Sequence, residues 1–263
     1  MRFLYIYSLL TLFVLSSCEE LIQVNLNEAN PKYVIEGDLN DLSSEQFIRV
    51  SQTVAFDAPV RSKPIDNASV TVSDDKGKVY TFNSVGNGLY KSSFQPKAKT
   101  RYNLKVSVEG EVFESSSYMN SYVDVDSLGI MEDVIFSDTV YSVTLKFEDP
   151  RNTPNYYKYN ISVNGKDFEF SRVFSDKFND GLYVTHQVSD SKSEILLGDT
   201  VVVERQIIDK PVFNYWNEVL SINPGSAAPA NPTSNITNGA LGYFSVSSAK
   251  RYGFRIKFKE EGN

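Results

Sequence analysis

Tyr102-Asn103-Leu104-Lys105-Val106-Ser107-Val108 alternates apolar and polar side chains without a break, and Glu109-Gly110 then turns the chain into Val112-Phe113-Glu114. An α-helix would scatter such a pattern around its circumference, whereas a strand puts every second side chain on one face and gives one apolar side and one wet side. The same period runs outward toward the N-terminus. Val70-Thr71-Val72 leads through the turn cluster Asp74-Asp75-Lys76-Gly77 into Val79-Tyr80-Thr81-Phe82, and Gly86-Asn87-Gly88 precedes Leu89-Tyr90-Lys91. Before them, Phe47-Ile48-Arg49-Val50-Ser51 and Tyr33-Val34-Ile35-Glu36 read as two further strands. Seven short strands separated by turn residues at this spacing predict an immunoglobulin-like β-sandwich over residues 31–118.

Toward the C-terminus, residues 119–138 read as a connector, with Asp124, Asp126, Asp133 and Asp138 among few periodic apolar positions. Strands resume at Tyr141-Ser142-Val143-Thr144-Leu145-Lys146-Phe147 and at Tyr157-Lys158-Tyr159-Asn160-Ile161-Ser162-Val163. Asn164-Gly165, two residues that tolerate positive φ, then predicts a hairpin into Phe168-Glu169-Phe170. Residues 171–199 show only weak strands, and Thr200-Val201-Val202-Val203-Glu204 is a clear one. One helix is expected at about 210–221: Asp209 can cap it, Pro211 suits its first turn, and Phe213, Trp216 and Leu220 fall on one face, read as packing. A loop rich in Pro, Ala and Asn follows at 224–232, and 241–246 and 252–258 read as two closing strands. The fold class expected is all-β: two β-sandwich-like domains, the first immunoglobulin-like, the second, over 139–263, β-rich with one short helix.

The N-terminus carries an address rather than fold. After Met1-Arg2, residues 3–15 are almost wholly apolar, the length of a signal-peptide core and short of the roughly 20 residues that span a bilayer. The run ends in Leu15-Ser16-Ser17-Cys18, a branched residue, two small ones and a cysteine, as in a bacterial lipobox. Residues 1–17 are therefore expected as a lipoprotein signal peptide, Cys18 as the site of lipidation, and 18–30 as a lipidated tether that holds the protein to the membrane.

Cys18 is the chain's only cysteine and His186 its only histidine. With Cys18 lipidated, no internal disulfide forms, and a zinc or haem site of the usual ligands is not expected. A net charge of −7 argues against nucleic acid as a partner. The chain has no Gly-x-Ser-x-Gly elbow and no phosphate-cradling glycine loop, and a Ser–His–Asp arrangement would have to be built on His186 alone, which sits in the strand-like Tyr183-Val184-Thr185-His186-Gln187. The reading is therefore of a non-enzyme without catalytic residues, cofactor or resident metal. The acidic pairs Asp74 with Asp75 and Asp124 with Asp126 are the weak exceptions, with Asn179 beside Asp180 weaker still because it offers one carboxylate. Each falls where turns want Asp and Asn anyway.

A longer order of motifs carries a resemblance. It runs from the lipobox through Pro31-Lys32-Tyr33-Val34-Ile35-Glu36-Gly37, Ile48-Arg49-Val50-Ser51-Gln52-Thr53 and Ala68-Ser69-Val70-Thr71-Val72. Gly88-Leu89-Tyr90, Val125-Asp126-Ser127-Leu128, Gly198-Asp199-Thr200-Val201 and Phe213-Asn214-Tyr215-Trp216 follow, and the order ends in Asn231-Pro232-Thr233-Ser234-Asn235-Ile236-Thr237-Asn238-Gly239-Ala240-Leu241-Gly242-Tyr243-Phe244. Together these resemble a Bacteroidota lipoprotein family catalogued as domain of unknown function 4249. The likeness covers nearly all of the mature chain and is thinnest between 165 and 197. Thr237-Asn238 stands where a Gly-rich pair is expected.

That resemblance implies a lipoprotein encoded beside an outer-membrane TonB-dependent receptor, and it brings no catalytic residues. Glu19-Glu20 directly after Cys18 are similar to the acidic export signal of surface lipoproteins in that group. The expectation is thus an outer-membrane, surface-facing accessory subunit of a TonB-dependent nutrient-uptake complex, its ligand unread, with 224–244 among its docking contacts. The alternative is a cell-surface adhesin or envelope structural protein without a transporter partner.

Overall fold

The computed structural model describes residues 31–55, 58–135, 138–190, 194–222 and 231–257. Cys18, the signal segment and the tether lie outside the described residues, as does most of the 224–232 loop. The described chain is all-β with one short helix.

The seven strands expected in the first half all form: β1 (Tyr33–Asn40), β2 (Glu45–Gln52), β4 (Ser69–Asp74), β5 (Val79–Gly86), β6 (Leu89–Ser93), β7 (Thr100–Val108) and β8 (Glu111–Met119), with a two-residue β3 (Lys63–Pro64) on the edge of β2. Their inward side chains follow the alternation read from sequence, as in Tyr102, Leu104, Val106 and Val108 of β7. Each such fully buried Leu, Val or aromatic residue contributes about 1.5–3 kcal/mol over an exposed one. Strand β5 is the corner of the sandwich. It pairs with β4 over its first half and with β6 over its second, and the register shifts between Ser84 and Gly86 where the chain passes from one layer to the other.

The second body stacks β9 (Ser127–Ile135), β10 (Asp138–Glu148) and β13 (Tyr183–Val188) against β11 (Tyr156–Val163), β12 (Glu169–Ser175), β14 (Thr200–Ile208) and the far half of β15 (Leu241–Arg255). The Asn164-Gly165 turn adopts φ of 55° and 74°, as the hairpin between β11 and β12 requires. Helix α1 (Lys210–Ser221) lies on the outer face of the β11–β12–β14 layer, so the second body has three layers. Asp209 caps the helix by accepting the Val212 amide. The packed face consists of Val212, Phe213, Tyr215 and Trp216. Leu220, expected on that face, is exposed because only the first two turns of the helix lie over the sheet.

Three expectations change. Residues 119–138 are a connector only as far as Asp126; beyond it β9 pairs with β10 from Ser127 to Ile135 and forms the edge of the three-stranded sheet. The weak stretch 171–199 holds most of β12 and all of β13. The two closing strands are one strand, β15, and it belongs to both bodies. Residues 241–247 pair in parallel with β1, and 248–255 pair antiparallel with β14. Ile236, Ala240, Phe244 and Val246 consequently sit in the core of the first body, far from the domain boundary drawn on sequence. The close approach of β15 to β1 depends on Gly242. Its φ is +90°, and a Cβ there would stand 2.1 Å from the Ile35 carbonyl oxygen.

Candidate functional site

The acidic candidates separate once the chain is folded. Asp74 holds its own turn, its Oδ1 accepting the Lys76 and Lys78 amides at 3.0 and 2.9 Å, and Asp75 accepts the Arg101 amide at 3.2 Å. Asp124 pairs with Lys250 at the surface. These are turn and surface carboxylates, and each works alone.

His186 is core. It is 4 % exposed, stacks on Phe174 at 4.1 Å and has Nδ1 2.8 Å from the Tyr159 hydroxyl. Burial, followed by the nearby Arg205 charge, depresses its pKa to about 3, so the ring is neutral. Arg205 occupies an inward position of β14 and is fully buried. Its guanidinium lies 4.2 Å from the Phe147 ring centre and 4.6 Å from that of Tyr157, its Nε donates to Tyr159 Oη at 3.0 Å, and its Nη1 donates to the Val123 carbonyl. Aromatic faces and neutral oxygens thus carry this cation; among the described residues no carboxylate pairs with it. The aromatic residues considered for stacking are packed as well. Tyr157 is core, Tyr156 lies against Phe213, and Trp216 lies against Phe170 with the Lys158 ammonium 4.6 Å from its ring.

The outer face of the same layer carries a polar seam between the two bodies. Lys158, buried on β11, pairs with Asp38 of β1 at 2.6 Å. Gln206 donates to both Asp38 and Glu204, and Arg251 grips Glu204 Oε2 through Nε and Nη2 at 2.9 and 2.8 Å. Asp209 adds to it: besides its cap it accepts the Tyr118 amide of β8 at 3.0 Å, tying α1 to the first body.

Asp180, the weakest acidic candidate by sequence, is the one that gains companions. Strands β10 and β12 end side by side with the start of β13, and the residues just past those ends meet: the Asp149 amide donates to the Leu182 carbonyl, and the Asp176 amide to the Asn155 carbonyl. One carboxylate oxygen from each of Asp149, Asp176 and Asp180 lies within 4.8 Å of the other two. Each carboxylate accepts at least one protein hydrogen bond, and the Gly181 backbone amide also acts on Asp149. Tyr157 Oη donates to Asp149 Oδ1 at 2.5 Å, the Asn155 amide to Asp176 Oδ2 at 2.7 Å, and the Asn152 amide to Asp180 Oδ1 at 2.8 Å. Asp149 is 2 % exposed, and burial raises its pKa against the opposing pull of the Tyr157 hydroxyl. Asp176 and Asp180 line a cleft of about 330 Å³ together with Asn152, Thr153, Pro154 and Lys177, and Asp149 lies buried behind them. Sequence reading missed Asp149 and Asp176 because Asp149 follows Glu148 at a strand end before Pro150 and Asp176 stands alone in Ser175-Asp176-Lys177, and only the fold brings the two together.

The docking segment 224–244 divides. Residues 224–230 lie outside the described residues. From Asn235 onward the chain is structural: Ser115 Oγ donates to the Asn235 carbonyl, the Thr237 amide and hydroxyl bond the Glu114 backbone, and Asn235 clamps Phe244 through both its amide oxygen and nitrogen. Among the described residues no helix is long and apolar enough to cross a membrane.

No curated protein matches the chain. The family Domain of unknown function (DUF4249) matches residues 19–252, from the tether through both bodies and into the far half of the strand they share. With a match that spans most of its length, the chain belongs to the DUF4249 family.

Proposed function

We propose that the protein is a lipid-anchored outer-membrane lipoprotein, facing the cell exterior, that serves as a non-enzymatic accessory subunit of a TonB-dependent nutrient-uptake complex. The observation that carries this reading is a coincidence of boundaries. The family match starts at Glu19, directly after the cysteine of Leu15-Ser16-Ser17-Cys18, so it takes in the tether and the body and leaves out the segment read as the signal peptide. The receptor partnership rests on the family resemblance. The non-enzymatic role is supported by His186, which is sealed in the core with its Nδ1 on a tyrosine hydroxyl and so is withheld from acid–base work.

Affinity purification of the tagged, full-length protein from detergent-solubilised outer membranes is expected to recover a TonB-dependent receptor. The Cys18→Ala variant is expected to lose fatty-acid labelling and recovery of the receptor together. Normal fatty-acid labelling of the variant would remove the anchor. A labelled, surface-exposed wild type that brings down no receptor would remove the uptake reading in favour of the adhesin.

A further inference from the structure

We infer that Asp149, Asp176 and Asp180 form a calcium-binding site at the loop end of the second body. The inference stands apart from the uptake reading and does not require it. Three carboxylates converge there with one oxygen each inside a 4.8 Å span. Two ligands on opposite sides of one calcium ion stand about 4.6–5.2 Å apart, given Ca–O distances of 2.3–2.6 Å, so oxygens within 4.8 Å of one another are close enough to share a single ion.

The second observation is independent of the clustering. Asp149 is 98 % buried by its 2 % exposure, and while its Oδ1 takes the Tyr157 hydroxyl, its Oδ2 is buried without a hydrogen-bond partner. A buried carboxylate oxygen with no hydrogen-bond donor is disfavoured unless a proton or a cation neutralises it, and two further carboxylates beside it favour a cation. Among the described residues no lysine or arginine does so. Lys177 lines the cleft but sets its ammonium over the exposed Phe178 ring at 5.1 Å, and no ion pair joins a basic side chain to any of the three aspartates.

The donors set the identity of the ion. All are carboxylate oxygens, which select hard cations over zinc or copper. Magnesium binds at 2.0–2.1 Å in a strict octahedron, keeps several waters and commonly uses one or two carboxylates, whereas calcium accepts several carboxylates in a looser shell. The protein donors on Asp149 Oδ1, Asp176 Oδ2 and Asp180 Oδ1 hold the three side chains in place before the ion arrives. Occupancy would pin the β10–β11 loop to the β12–β13 loop.

The test is calorimetric titration of the EDTA-stripped, full-length protein in detergent with calcium chloride, with magnesium chloride in parallel, and melting curves in EDTA and in calcium. Calcium is expected to bind at one site with Kd on the order of 10⁻⁴–10⁻³ M or tighter, to raise Tm by a few degrees, and to bind at least ten-fold more tightly than magnesium. Asp180→Asn, an exposed and structurally mild change, is expected to weaken calcium about ten-fold or more and leave Tm in EDTA near wild type. Asp149→Asn is expected to abolish binding; if that variant fails to fold, Asp180→Asn decides. Absence of calcium binding up to about 10 mM, wild-type affinity in folded Asp180→Asn, or magnesium binding as tight as calcium would each overturn the assignment.

Discussion

In the first body the large fully buried side chains are Tyr90, Tyr102, Phe113, Phe244 and aliphatic residues, and no charged side chain is buried there among the described residues. In the second body Arg205, Lys158, Glu204, Asp149, Asp176 and His186 are all buried. Both bodies are twisted two-sheet stacks of strands with the same period. The difference shows that alternation fixes which face a residue takes but not what chemistry that face must have. An ionisable residue can be buried on either face of the layer if neighbours supply its partners: rings and a tyrosine hydroxyl for Arg205, Asp38 and Trp216 for Lys158, Arg251 for Glu204. The first body is an uncharged core, its buried tyrosines and serines bonded to neighbouring backbone, as Tyr90 is to Ile65 and Ser117 to Val246. The second is a set of specific pairings, and it carries the candidate site.

The largest effect expected tests whether the two bodies are separate units at all. Gly242→Ala forces a side chain into a left-handed backbone and against the Ile35 carbonyl, at the head of the strand both bodies share. A loss of more than about 4 kcal/mol is expected, with the two bodies unfolding together in one denaturant transition. A variant that loses only part of its signal, leaving one body intact, would break the view that β15 couples them.

Next in size is the seam. Asp38→Ala strands the Lys158 ammonium in a buried position and is expected to cost about 3 kcal/mol by denaturant titration. Glu45→Ala removes the partner of Lys91 in an exposed pair of the first body and is expected to cost at most about 0.5 kcal/mol. Equal costs would erase the contrast between buried and surface charge on which the comparison rests.

Smaller than the loss of the buried pair is the effect of acid on His186. Its folded pKa of about 3 lies below the unfolded value near 6.5, so between those values the unfolded chain binds a proton that the folded chain refuses. Stability from this group is complete above about pH 6.5 and falls as pH drops, by about 2 kcal/mol at pH 5. Asp149 and Asp209, raised by burial, act in the opposite sense, favouring the fold as pH falls. The difference between wild type and His186→Gln isolates the histidine. The variant's stability is expected to change less between pH 7 and pH 5, and parallel pH curves would show that the ring is not buried neutral.

What the sequence by itself determined is what neighbouring residues decide among themselves. Period-two alternation placed β1, β2, β4 to β8, β10 and β11, and a run of β-branched valines placed β14, because each strand's faces are set by the covalent geometry of adjacent residues. Asp209, Pro211 and the run to Ser221 placed the helix, because caps and first-turn prolines act within one turn. Leu15 to Cys18 gave an address that needs no fold. The edge strand β9 gave no clear signal because most of its residues are exposed, Leu128, Ile130, Met131 and Val134 included, and the packed side of α1 takes Val212 and Tyr215 with Phe213 and Trp216 but not Leu220. The pairing of β15 with β1, some two hundred residues apart, is written in no local pattern; it is selected by the space Gly242 leaves beside Ile35 and by the hydrophobic faces that β1 and β8 hold open for Phe244 and Val246. The cage around Arg205 and the meeting of Asp149, Asp176 and Asp180 likewise arise only when strand ends are brought side by side. A lone aspartate in a turn reads the same whether its neighbour across the fold is water or two more carboxylates, so the chemistry of this protein was decided by tertiary structure.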